Sequence, residues 1–263
     1  MSEPSVLPPL DERLARALLL HAEAESAFGV AELPRRSETL ALALSAALDS
    51  GVAPPATLPM LEAPTAPGAS GPPLEADSLA SIAAEIAVCE KCELCRVRTK
   101  TVPGQGNPRP RLLFVGEAPG AVEDAQGLAF VGPAGELLTR MIQAMGLGRD
   151  DVFIANVLKC RPPQNDPPEP HQARACFPYL ERQIAVLEPE IICALGAHAA
   201  VNLLGRDESI GRLRGRVFAY GRSQLVATYH PSYLLRTPEK KKDAWQDLQL
   251  VMKLLGLPPR PPG

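Results

Sequence analysis

Leu112–Met145 reads LLFVGEAPGAVEDAQGLAFVGPAGELLTRMIQAM, and the fold class turns on it. Leu112–Val115 is a short apolar run closed by Gly116. It is too short for a buried helix and reads as a buried strand. Gly135–Met145 then carries apolar residues at helical spacing. The phrase of strand, glycine and helix returns downstream. Ile191–Leu195 ends at Gly196 and leads into the helical Ala197–Leu204. Val152–Val157 is β-rich and precedes the helical His171–Leu187. Val217–Tyr220 and Leu225–Tyr229 are β-rich, the second running into His230, and Asp243–Leu255 closes as a helix. Strands alternating with helices predict an α/β fold with a largely parallel sheet. In such sheets ligands bind beyond the carboxyl ends of the strands. Glu117, Asn156 and His230 stand at or just past three different predicted strand ends.

Upstream the chain changes character. Residues 11–49 carry two helical patterns, Glu12–Phe28 and Ser37–Leu48. Residues 51–75 contain 7 Pro and 3 Gly in 25 positions with few large apolar groups, which marks a linker rather than a core. The expected organisation is a helical extension over 1–50, a linker over 51–76 and the α/β domain over 77–263. Charge divides the same way. Residues 1–88 hold 4 Lys/Arg and 12 Asp/Glu, a balance of −8. Residues 89–263 hold 23 and 18, a balance of +5. A basic domain behind an acidic arm suits a polyanion partner. No apolar stretch is long enough to span a membrane. The first 20 residues lack a basic start, an apolar run and a small-residue cleavage site, so a cytoplasmic protein is expected.

Six cysteines punctuate the sequence. In a cytoplasmic protein they are metal ligands, redox groups or buried thiols. Cys193 lies inside the apolar IICALG and reads as core. Cys89 and Cys92 form a CxxC pair, with Cys95 three positions on. Cys160 and Cys176 follow, with 15 residues between them. Thiolates suit iron–sulfur clusters or zinc, and spacing alone does not choose between them. The long gap makes the set a clasp between the start of the domain and a loop after the second long strand.

Four segments resemble, in order and with compatible gaps, the motifs of the family 4, iron–sulfur-containing uracil-DNA glycosylases. They are Cys89–Pro108 (CEKCELCRVRTKTVPGQGNP), Gly116–Gly135 (GEAPGAVEDAQGLAFVGPAG), Ile154–Asn165 (IANVLKCRPPQN) and His230–Arg236 (HPSYLLR). The resemblance covers about residues 85–256. It implies a three-layer α/β/α domain around a mostly parallel four-stranded sheet. It implies a [4Fe-4S] cluster on Cys89, Cys92, Cys160 and Cys176, with Cys95 outside the ligand set. The implied activity is removal of uracil from single- or double-stranded DNA by hydrolysis of the N-glycosidic bond, leaving an abasic site for base excision repair. The alternative is a non-catalytic iron–sulfur DNA-binding module. A monomer is expected, with residues 1–50 open to a repair or replication partner.

A glycosylase must take its base out of the stack, and the resemblance assigns the parts. Phe130 stacks on the base. Asn156 offers both a donor and an acceptor, enough to pair with uracil O4 and N3–H and to reject cytosine. His230 donates to O2 as charge develops there. Glu117, Ala118 and Pro119 line the uracil pocket. Glu123 assists electrostatically or positions water. Leu234 is the expected wedge that fills the gap left in the duplex, with Arg236 and Lys240–Lys242 near phosphates. A related branch that traps uracil covalently carries an Arg-rich insertion ending in His. Arg161–Pro170 contains no such insertion, so ordinary turnover is expected.

Overall fold

The computed structural model describes residues 77–259. The expected helices Glu12–Phe28 and Ser37–Leu48, and the linker over 51–76, lie outside the described residues. Six strands form one sheet: β1 Gln105–Gly106, β2 Leu112–Gly116, β3 Phe153–Asn156, β4 Ile191–Leu195, β5 Val217–Tyr220 and β6 Ser223–Thr228. Their order is β1-β3-β2-β4-β6-β5. The expected four-stranded parallel sheet is the centre, β3-β2-β4-β6. Antiparallel strands β1 and β5 extend it at the two edges. β1 is two residues long and too short to leave a periodic signal, so sequence reading passes over it.

Eight α-helices surround the sheet among the described residues: α1 Leu79–Ala87, α2 Ala121–Gln126, α3 Pro133–Ala144, α4 Pro170–Leu187, α5 Ala197–Leu204, α6 Ile210–Leu213, α7 Pro231–Arg236 and α8 Lys241–Leu254. Alternation along each strand sends neighbouring side chains to opposite faces. Leu112 and Phe114 of β2 pack with Leu138 and Ile142 of α3 and with Leu248 and Val251 of α8. Leu113 and Val115 face the other way, toward Leu180 and Ile184 of α4 and Ala199 of α5. Both faces are therefore covered, which explains why the central strands read as unbroken apolar runs. Cys193 of β4 is fully buried in the first of these layers. No described helix is long and apolar enough to cross a membrane.

Chain order places the site. The chain passes from β2 to β3 on one side and then crosses back to β4 on the other. That reversal opens a crevice at the carboxyl ends of the parallel strands.

Candidate active site

The crevice is a cleft of about 750 Å³, within the usual size of a small-ligand site. Glu117, Ala118, Pro119, Glu123, Phe130, Asn156, His230 and Arg236 all line it. Residues from three strand ends thus meet in one cleft, as the sequence predicts.

Asn156 ends β3 and is 1% exposed. Its Oδ1 is buried and has no hydrogen-bond partner. Buried acceptors are normally paired, so this oxygen marks a place where a donor belongs. Gly116, opposite Asn156 in the parallel register, leaves room beside it. A Cβ at 116 would overlap both Asn156 Oδ1 and the Phe130 ring.

Phe130 has φ +53°, a left-handed conformation. For a bulky residue this is strained, by roughly 1–3 kcal/mol. Its surroundings hold it there. Glu123 Oε1 accepts the N–H groups of Val131 at 2.9 Å and Gly132 at 2.8 Å. Arg149 Nη2 and Gln105 Nε2 donate to Ala129 O at 2.8 and 3.2 Å. Gly135 lets α3 begin against the Phe130 carbonyl, where a Cβ would collide. The ring faces His230 at a centroid distance of 5.7 Å and an interplanar angle of 40°. The edge strand β1 therefore serves the site through Gln105, a role sequence reading missed. Glu123 is engaged in holding the loop, in addition to lining the cleft.

His230 caps the N-terminus of α7. Ser232 N–H donates to its Nδ1 at 3.2 Å. Nδ1 is thus the acceptor nitrogen, and the hydrogen-bond pattern assigns the proton to Nε2. Burial of the ring, reinforced by Arg236 and opposed by Glu123, lowers its pKa to about 4. At neutral pH His230 is an uncharged donor. Burial also pushes the Glu117 carboxyl up, against the opposing influence of His198.

One expectation is overturned. Leu234 is 1% exposed and packs between Leu137 and Ala244. A wedge must project from the surface, and Leu234 is instead part of the interior contact that fixes α7. The exposed apolar side chain of α7 is Leu235, at 41%. The sequence HPSYLLR places two leucines side by side, and only the helix phase separates them. His198, Asn165, Asp166 and Tyr229 also line the cleft. His198 opens α5 just after β4, so the rule of strand ends could have found it. The loop residues Asn165 and Asp166 gave no such signal.

A second, smaller cavity is lined by Cys89, Cys92, Cys160 and Cys176, beside Arg98, Leu158 and Tyr179. Cys95 does not line it. Arg98 Nη1 donates to Cys160 Sγ at 3.3 Å and to Cys89 O at 2.7 Å. Lys159 N–H donates to Cys176 Sγ at 3.2 Å. Burial pushes the Cys176 thiol up to about 11 and raises Cys160 as well. Thiolates so placed need a compensating cation, and soft thiolates with N–H donors around them suit iron–sulfur chemistry. Among the described residues no group of three or more His, Cys, Asp or Glu side chains is placed to hold a metal ion, although these four cysteines line one cavity.

The family model described as Uracil DNA glycosylase superfamily matches residues 103–249. The chain belongs to that superfamily. Within it, the chain belongs with the type-4 uracil-DNA glycosylases. It is 44% identical to a Type-4 uracil-DNA glycosylase of Sulfurisphaera tokodaii over 193 residues, 70% of this chain and 88% of that protein. It is 42% identical to the one from Archaeoglobus fulgidus over 188 residues, 68% and 94% of the two chains. It is 45% identical to the one from Thermotoga maritima over 150 residues, 56% and 78%. The superfamily match ends within α8 and contains every cleft residue named above.

Proposed function

We propose that the cleft receives a uracil flipped out of DNA and releases it by hydrolysis of the N-glycosidic bond. Phe130 stacks on the flipped base. Asn156 Oδ1 accepts N3–H, and the amide nitrogen donates to O4. His230 Nε2–H meets O2, where charge accumulates as the bond to the sugar stretches. A donor aimed at charge that develops in the transition state lowers the barrier without tightening the ground state. Because His230 is neutral, it stabilises the leaving uracil anion by hydrogen bonding and need not give up its proton. Leaving-group stabilisation then carries most of the chemistry: the bonding electrons leave with uracil, water adds to the oxocarbenium-like sugar carbon, and the proton that water loses neutralises the uracil anion. Glu123 acts by holding the Phe130 loop, and its carboxylate lines the cleft. Leu235 takes the place of Leu234 as the wedge, with Arg236 and Lys240–Lys242 near the phosphates.

The single observation that carries this reading is the unpaired, buried Asn156 Oδ1 in one cleft with Phe130 and His230. Cytosine presents a bare ring nitrogen at that position and would leave the oxygen unpaired. The cost of an unpaired buried acceptor, about 1–3 kcal/mol, sets the discrimination.

Cys89, Cys92, Cys160 and Cys176 would hold a [4Fe-4S] cluster, whose part is to fold the lobe that borders the cleft. Its chemistry when bound is coordination alone, and base removal belongs to the side chains above. Residues 1–50 take no part in base removal in this proposal, and their acidic charge suits a repair or replication partner. The enzyme works as a cytoplasmic monomer. The test is incubation with a uracil-containing oligonucleotide, then alkaline cleavage and assay of free uracil. Release of uracil by the wild type, lost in His230→Ala, supports the proposal. Cluster content and DNA binding without base release would reveal a non-catalytic module.

A further inference from the structure

We propose that Lys159 is a positioning residue that locks the uracil-reading Asn156 to the cysteine-lined lobe. This rests on the reading of Asn156 given above. Lys159 is 1% exposed, and lysine is almost never that buried without a paired function. Its ammonium meets two neutral oxygens. Nζ donates to Asn156 O at 2.7 Å and to Gln183 Oε1 at 2.7 Å.

The first of these bonds completes a frame. The peptide unit joining Asn156 to Val157 is held at both ends. Val157 N–H donates to Gly116 O at 2.9 Å, and Asn156 C=O accepts from Lys159. Fixing that plane fixes ψ of Asn156 and so limits where its side chain can point. Asn156 Oδ1 has no hydrogen-bond partner of its own to orient it, so its direction rests on packing beside Gly116 and Phe130 and on the backbone that carries it.

The other bonds of Lys159 run to the cysteine lobe. Its N–H donates to Cys176 Sγ at 3.2 Å. Its C=O accepts from Val102 N–H at 2.8 Å. Gln183, which shares the ammonium, donates to Pro103 O at 2.7 Å. The Lys159 side chain thus joins the end of β3 to helix α4, while its backbone and Gln183 carry the connection to the segment that follows the CxxC pair. A neutral side chain of that length could pack there, but it could not donate to both oxygens.

The test uses the cluster-containing enzyme, and the readout is inhibition by free uracil. A residue that serves only folding changes the amount of active protein, and it leaves the inhibition constant of the folded fraction unmoved. Lys159→Met is expected to weaken uracil inhibition about tenfold, the loss of one good hydrogen bond to the base, with brown colour per chain retained. An unchanged inhibition constant overturns the proposal. If Lys159→Met yields no folded enzyme, Gln183→Met decides. It should weaken inhibition in the same direction by about threefold, a partial loss of one bond, and no change overturns the proposal. Asn156→Ala separates the two readings. If it binds uracil like the wild type, the reading of Asn156 itself has failed. If it weakens uracil and Lys159→Met does not, only the role of Lys159 has failed.

Discussion

Nδ1 of His230 lies 2.7 Å from the Ser232 hydroxyl and accepts the Ser232 N–H. These contacts make Nδ1 the acceptor and leave Nε2 as the protonated nitrogen. The neutral ring also predicts a pH profile. Burial lowers His230 from 6.5 to about 4. As pH falls through 6.5 the unfolded chain takes up the proton first, and the native ring resists until about 4. The stability contribution is therefore complete above 6.5 and fades toward 4. The single-turnover excision rate should show no His230 limb near 6.5. An acid limb above the ordinary carboxylate range would belong to Glu117, whose carboxyl burial pushes up, and should disappear in Glu117→Gln. A limb near 6.5 that vanishes in His230→Asn would contradict a neutral histidine.

Glu123 binds two backbone N–H groups through one oxygen. An amide oxygen can accept the same two bonds. Glu123→Gln should therefore keep the excision rate within about tenfold, and Glu123→Ala, which frees the Phe130 loop, should lose about 10²-fold or more. Single-turnover rates check this. A Glu123→Gln loss as large as that of His230→Ala, with Glu117→Gln unaffected, would return Glu123 to the chemistry.

The two leucines of α7 should separate cleanly. Leu234→Ala removes an interior contact and should destabilise the fold by about 2–4 kcal/mol, measured by denaturant unfolding. Leu235→Ala should leave stability within about 0.5 kcal/mol. It should slow excision from duplex DNA more than from single strands. Equal slowing on both substrates would remove Leu235 as the wedge.

The cysteines divide in the same manner. Cys95→Ser should keep iron content and colour, because Cys95 lies outside the cavity formed by the other four. Cys160→Ser or Cys176→Ser should lose the cluster. Chelation of the wild type should lower its unfolding temperature. A colourless wild type loaded with zinc would replace the iron–sulfur assignment.

Much of this was legible in the sequence because apolar runs and glycines record burial directly. The four parallel strands, Ala197–Leu204 and the buried Cys193 followed from pattern alone. Asn156, Phe130 and His230 were nameable from their motifs. Three things were not legible. β1 is too short to carry a period, yet Gln105 on it supports the Phe130 loop. Leu234 and Leu235 are adjacent and identical, so only the packing of α7 against Leu137 and Ala244 tells them apart. Lys159 looks like an ordinary surface lysine in NVLKC, and its burial depends on Gln183, 24 positions away in sequence. Contacts between distant segments leave no local trace.

The most direct test of the account is a paired measurement on His230→Ala with a uracil-containing duplex. Single-turnover excision and binding of the uracil DNA are measured together. Loss of a donor that acts on charge developing at O2 should lower the excision rate about 10²–10³-fold and change DNA affinity by less than about tenfold. An excision rate close to wild type, or a loss explained entirely by weaker binding, would contradict it.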